Sequence, residues 1–191
     1  MPLLISEVLV AGTLAKIPQP SIPTHDGLLL RPWKAEDAPA VHVAFQDSVI
    51  RQWHHYATES VGEALDMIEG WRTEWEGETN AYWAVAEEGT DRLLGRVALR
   101  NIVLPAGAAE VAYWTASAAR GQGVAPRAVT ALTRWAFESV GFHRIELTHA
   151  VRNEASCRVA AKAGFDLEGT KRSALLHLDG WHDMHLHARV R

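Results

Sequence analysis

The chain has 191 residues, 48% of them apolar and 22% charged, and a formal net charge of −4 at neutral pH. That length fits one domain with a substantial core, and a mildly acidic chain with no basic face argues against nucleic acid as a partner. The one cysteine, Cys157, rules out an internal disulfide and a zinc site built from cysteines alone.

The stretch from residue 3 to 14 is apolar, but Glu7 interrupts it and no basic residue precedes it. It reads neither as a signal peptide nor as a membrane span, so the expectation is a cytoplasmic protein with no membrane partner. Residues 1–24 are expected as an extended arm, because Pro18, Pro20 and Pro23 disfavour helix. The arm would lie over the domain formed by residues 25–191 or make a dimer contact.

Leu28–Trp33 predicts a first strand, and a helical pattern follows from Ala35 to about Phe45. Thr58 is placed to cap a second helix through Trp75, with Ala64, Leu65, Ile68, Trp71, Arg72 and Trp75 near helical spacing and Gly77 as its end. Ala81–Glu87 and Leu93–Val103 are strands joined by a turn of hairpin composition at 88–91. After a loop at Pro105–Gly107, Glu110–Thr115 is a further strand dense in β-formers.

Pro126 suits the first turn of a helix, where its missing N–H costs nothing. Val129, Leu132, Thr133, Ala136 and Val140 mark one face of it, and Gly141-Phe142 closes it. Arg144–Val151 alternates as a strand, and Asn153 caps a short helix, Glu154–Ala163, that Gly164 ends. Asp166–Leu178 and Trp181–Val190 are strands around a two-residue turn at Asp179-Gly180. The order β-α-α-β-β-β-α-β-α-β-β describes one α+β domain of about seven strands and four helices.

Between the fourth strand and the third helix lies Arg120-Gly121-Gln122-Gly123-Val124-Ala125. Loop amides and the free N–H groups of a helix start favour an oxyanion there. Gly121 and Gly123 let the backbone approach it, and Arg120 adds a charged donor. A P-loop would need a lysine after the second glycine, and a dinucleotide fingerprint would need glycine or alanine where Pro126 stands. Alone, the loop says only that a phosphate binds.

The pattern Arg-x-x-Gly-x-Ala at Arg120–Ala125 follows Tyr113-Trp114 and precedes a helix. Asn153-Glu154-Ala155-Ser156, Ala163-Gly164-Phe165, Glu168-Gly169, Gly180 and Asp183 follow in order. Together they resemble the GNAT superfamily of CoA-dependent N-acyltransferases, in its RimJ/RimL-like branch, over about residues 26–190. The resemblance implies a three-layer α/β arrangement: a mixed, mainly antiparallel twisted sheet, splayed between its fourth and fifth strands, with acetyl-CoA in the gap. Tyr113, Trp114 and Thr115 would meet the pantetheine arm through main chain. Arg120, Gly121, Gln122, Gly123, Val124 and Ala125 would hold the pyrophosphate, Asn153 would reach the pantetheine, and Arg158 the adenosine phosphates.

The implied activity is N-acetylation of a primary amine, on a protein N-terminus or a small molecule such as an antibiotic, by direct attack in a ternary complex. The alternatives are an acyltransferase for longer or acidic acyl groups, and a GNAT-fold sensor that binds acyl-CoA without turnover. Dimers are common among relatives, which makes a homodimer one implied state. The attacking amine must lose a proton, and the departing thiolate benefits from one. Glu110, at the start of the splayed strand, is the candidate base through water, with a C-terminal histidine as the alternative. Ser156 is the candidate hydrogen-bond donor to the sulfur.

Trp33, Trp53, His54, His55, Tyr56, Trp181 and Asp183 are the candidates for holding the acceptor. Asp183, His185 and His187 share one strand face, a pattern that also occurs in metal sites. The implied chemistry needs no metal, and none is expected. Cys157, with no histidine placed beside it by local sequence, is expected as a small buried residue.

Overall fold

The computed structural model describes residue 4, residues 6–54 and residues 56–191. The strands are β1 (Ile22–Pro23), β2 (Leu28–Arg31), β3 (Ala81–Glu87), β4 (Leu93–Val103), β5 (Ala108–Thr115), β6 (Arg144–Ala150), β7 (Asp166–His177) and β8 (Gly180–Val190). They form one sheet in the order β1-β2-β3-β4-β5-β6-β8-β7, antiparallel throughout except where β5 meets β6. The helices are α1 (Ala38–Phe45), α2 (Ser48–Trp53), α3 (Val61–Glu76), α4 (Val124–Trp135) and α5 (Glu154–Lys162). Among the described residues, no helix is long and apolar enough to cross a membrane.

Strand alternation splits the core into two layers. Trp83, Val97, Leu99, Val111, Ile145 and Leu147 face α4 and α5, meeting Val124, Val129, Leu132 and Ala160. Tyr82, Ala84, Ala98 and Trp114 face the other way, onto Val41 and Phe45 of α1 and Ile68 and Trp71 of α3. Both faces of the central strands are therefore dry. Truncating a fully buried aromatic such as Trp83 to alanine would cost about 3–5 kcal/mol.

The expected sheet is present, with three local differences. The α3 cap is Ser60, whose hydroxyl accepts from the Glu63 N–H at 3.1 Å. Thr58 is instead buried, its carbonyl accepting from Gln46 Nε2 at 2.8 Å. A fifth helix, α2, joins the four expected; Asp47 caps it by accepting from the N–H groups of Val49 and Ile50. Its six residues are too few for a periodic signal. The β7–β8 turn is Leu178-Asp179, because His177 pairs with Gly180, which opens β8 at φ +115°.

Residues 6–24 pack along the domain. Leu9 and Leu14 are buried in the α4-side core, and the Glu78 carboxylate accepts from the N–H groups of Gly12 and Leu14 at 2.6 Å each. Trp83 Nε1 donates to the Pro20 carbonyl at 2.8 Å. The segment turns through residues 11–16 before it runs extended, and β1 is its contribution to the sheet. Arg31 anchors β2. Only 4% exposed, it grips Asp37 through Nη1 and Nη2 at 2.7 and 2.8 Å and Asp91 through Nε at 2.5 Å.

Candidate active site

The parallel ladder between β5 and β6 has three rungs, ending at Glu110 opposite Glu146. Beyond it β5 continues to Thr115 along β4, while β6 continues to Ala150 along β8 with no further pairing to β5. The β6-side edge of residues 111–115 thus faces a gap instead of a strand. Backbone N–H and C=O groups at such an edge need partners, and an extended ligand bearing amides satisfies them as an added strand would. β5 lies so close to β4 that a Cβ at Gly95 would fall 2.3 Å from the Trp114 carbonyl oxygen.

The gap opens into a groove of about 400 Å³. Tyr113, Trp114 and Thr115 form one wall, and Asn153, Ala155, Ser156, Arg158, Val159 and Lys162 of α5 the other. Arg120, Gly121, Gly123, Val124 and Ala125 close one end, and Val49, Ile50, Trp53 and His54 of α2 cover the flank. Every residue expected to hold the cofactor is on this surface except Gln122. Gln122 lines an adjoining hollow of about 490 Å³ with Arg127, Arg134 and Lys162. That hollow shares Gly123, Pro126 and Lys162 with the groove, so three cations gather beside it, Arg127 among them paired with Asp26 at 3.3 Å.

The loop is braced by a residue that the motif does not contain. Arg127 donates through Nη2 to the Gln122 carbonyl at 3.2 Å and through Nε to the Gly123 carbonyl at 3.1 Å. In a trans peptide unit the C=O and the next N–H point in opposite directions. Drawing these two carbonyls toward Arg127 therefore turns the N–H groups of Gly123 and Val124 the other way. Gly121 and Gly123, at φ +76° and +72°, supply the left-handed backbone this requires. α4 starts at Val124, adding its dipole. Loop, dipole and cations fit a diphosphate.

Arg120 is partly committed elsewhere: its Nη2 meets Asp47 Oδ1 at 2.6 Å, tying the loop to the cap of α2. That guanidinium holds the Asp47 carboxyl below its ordinary value, against the effect of burial. Asn153 is a cap residue that also faces the groove, accepting from the Ser156 N–H at 3.1 Å at the start of α5. Across from it the Tyr113 hydroxyl is pushed up to about 12 by burial, with Ser156 partly offsetting the effect and Cys157 adding to it. Arg158 pairs only loosely with Glu154, at 3.6 Å and largely exposed.

Glu110 sits on the last rung before the splay, half-buried, and accepts from Asn101 Nδ2 at 3.1 Å. It stands at the vertex of the gap, outside the groove wall. Of the acceptor candidates, Trp53 and His54 reach the groove. Trp53 is held edge-on by His177 and His182, with ring centroids at 5.3 and 5.7 Å. Asp179 accepts from Gln52 Nε2 at 2.8 Å and binds His182 Nε2 at 2.7 Å, so α2 and the β7–β8 hairpin are latched together. Tyr56 and Trp181 are exposed, at 77% and 65%, and neither lines the groove.

Trp33 does not join them. It is 6% exposed and packs against Trp71 and Trp114 at 4.8 and 6.3 Å, a core position. Asp183 is occupied in accepting from the Ser173 N–H at 2.8 Å. His55 lies outside the described residues. Cys157, expected without a histidine neighbour, stands with His149, His185 and His187, because the β6–β8 register sets His149 opposite His185 and Leu147 opposite His187. Burial lowers the pKa of His149 and of His187.

A family model, the acetyltransferase (GNAT) domain, matches residues 27–166. The uncharacterized N-acetyltransferase YoaA of Bacillus subtilis is 25% identical over 87% of the chain and 94% of its own length. The probable N-acetyltransferase YjcK of the same organism is 32% identical over 72% of the chain and 75% of its own length. Among solved structures, a RimL ribosomal L7/L12 alpha-N-protein acetyltransferase in complex with coenzyme A superposes with a TM-score of 0.83. It has 23% identity and covers 90% of this chain and 98% of its own, a likeness of fold.

Proposed function

Because the chain belongs to the acetyltransferase (GNAT) domain family, with acetyl-CoA as co-substrate, we propose that it acetylates a primary amine by direct attack in a ternary complex. A protein N-terminus is the first acceptor to test, and a small-molecule amine the second. One observation carries the reading: the open edge of β5, the Gly121–Gly123 loop and the Asn153–Ser156 end of α5 converge on a single groove. The likeness to a ribosomal alpha-N-protein acetyltransferase supports the choice of a protein N-terminus.

Acetyl-CoA supplies the activated thioester. The N–H groups of Gly123 and Val124 hold the diphosphate, with Arg127 keeping them aimed and Arg134 and Lys162 taking the further phosphate at the adenosine end. The β5 edge pairs with the pantetheine amides. Ser156 donates a hydrogen bond to the sulfur as it departs. Glu110 accepts the amine proton through a water in the gap, and Asn101 fixes its carboxylate. Proximity does most of the work, since two reactants held in line need little further assistance. Trp53 and His54 from α2, with Trp181 on the β7–β8 hairpin, frame the acceptor.

Thiol release from acetyl-CoA, followed with peptides bearing free N-termini and with a panel of small amines, tests the proposal. Turnover with peptides is the expected result. Turnover with small amines alone would move the acceptor to that class. Tight acetyl-CoA binding without thiol release from any amine would overturn catalysis in favour of a sensor. The cytoplasm is the proposed compartment and a homodimer the proposed assembly, tested by cell fractionation and light scattering.

A further inference from the structure

We propose that His149, Cys157, His185 and His187 bind one zinc ion that fastens α5 to β6 and β8. These residues come from three elements. His149 is on β6, His185 and His187 are on β8, and Cys157 is in the first turns of α5. One ligand atom from each lies within 4.8 Å of all the others. A tetrahedral ion with bonds of about 2.0–2.1 Å to nitrogen and 2.3 Å to sulfur needs ligand separations of about 3.3–3.6 Å. Small side-chain rotations close the difference.

The contacts within the group point to a shared ion. His149 Nε2 and His187 Nε2 are 3.2 Å apart, close to the nitrogen–nitrogen edge of such a tetrahedron. His149 Nδ1 is 2.9 Å from the Ala150 carbonyl oxygen. That contact puts the proton on Nδ1 and leaves the Nε2 lone pair facing His187. A backbone partner on the far nitrogen is the usual outer support of a metal-bound imidazole. The Nδ1 atom of His185 is buried with no hydrogen-bond partner, a cost that coordination removes. His149 and His187 are each 5% exposed.

Three imidazoles and a thiolate make a donor set suited to zinc, a borderline-soft ion that accepts nitrogen and sulfur tetrahedrally. Four protein ligands leave no open position, so the ion is structural. Cys157 follows Ser156, which lines the groove, and the helix cap at Asn153 lies one turn before it. Fixing Cys157 to the sheet therefore fixes the end of α5 that shapes the thioester side of the groove. The ion would add a link from α5 to two strands that the β6–β8 ladder already holds together.

The test uses the full chain carrying no polyhistidine tag, and its readouts are independent of acetyl transfer. Elemental analysis is expected to find about one zinc per chain, since binding to a preformed four-ligand site is strong. Cobalt exchanged into the site should give tetrahedral visible bands and a thiolate charge-transfer band. Cys157→Ser should abolish the charge-transfer band and weaken zinc binding more than about tenfold. Alkylation of Cys157 in the unaltered protein should be slow with zinc and fast after chelation, a readout that holds even if the variant folds poorly. Absence of stoichiometric metal together with zinc-independent alkylation would overturn the proposal. So would zinc binding that Cys157→Ser leaves unchanged.

Discussion

Gly121→Ala tests the proposal that the loop from Arg120 to Ala125 holds a diphosphate. Gly121 has φ +76°, and a Cβ there would meet no atom within 4 Å. The substitution therefore introduces backbone strain but no clash in the free protein. An L-residue in the left-handed region costs about 1–2 kcal/mol, which for a domain of this size lowers Tm by about 2–8 °C. Gly89, in the turn between β3 and β4, offers a matched control, since it has φ +88° and equally open space but lies away from the groove. Gly89→Ala should lose similar stability. Only Gly121→Ala should also weaken CoA, because its methyl takes the space a diphosphate needs against the loop amides. Losing one hydrogen bond to a charged group costs about 1.5–3 kcal/mol, or roughly ten- to hundredfold in Kd. Thermal melts and isothermal titration with CoA read the two effects separately. Equal CoA affinity in Gly121→Ala, Gly89→Ala and the unaltered protein would refute the assignment of this loop as the diphosphate anchor.

Three further outcomes are expected. Glu110→Gln should lower kcat by about a hundredfold, the lower end for general base catalysis, with acetyl-CoA affinity unchanged; steady-state kinetics and titration together check this, and an unaltered kcat excludes Glu110 as the base. Asp37→Ala leaves the buried Arg31 with Asp91 as its one carboxylate partner and should cost about 3 kcal/mol, the lower part of the range for breaking a buried pair, read from the urea midpoint. The lowered pKa of Asp47 means that the folded protein favours its charged form. Its contribution is thus complete above the ordinary carboxylate value of about 3.9 and fades as pH falls through the lower folded value. Arg120→Gln removes the leading cause, so the acid-unfolding midpoint followed by circular dichroism should move to higher pH; an unchanged midpoint would count against the ion pair.

Features that reside in a few consecutive residues are legible in the sequence. Asn153 caps its helix through its own side chain and an amide three residues on, and Gly121 and Gly123 carry their backbone preference with them. The succession of strands follows from alternation and from turns at Glu88–Asp91 and near Asp179. Arg127 is within reach of such reading, standing four residues past Gly123 on the first turn of α4, but the motif points to Arg120 instead. Helix α2 escapes it because six residues cannot establish a period, although Asp47-Ser48 is a cap signal.

Local chemistry is thus written into short stretches of chain: the helix caps, the turns, the glycine loop and the family pattern running through them. Which distant residues meet is a matter of tertiary packing. Trp33 belongs to the core because Trp71 and Trp114 come to it from another helix and another strand. Arg120 finds Asp47 across 73 residues. His149 and Cys157 join His185 and His187 through the β6–β8 register. A one-residue slip in that register would turn the β8 histidines to the opposite face. Register is settled by the burial of whole strands, and no short stretch of chain contains that information.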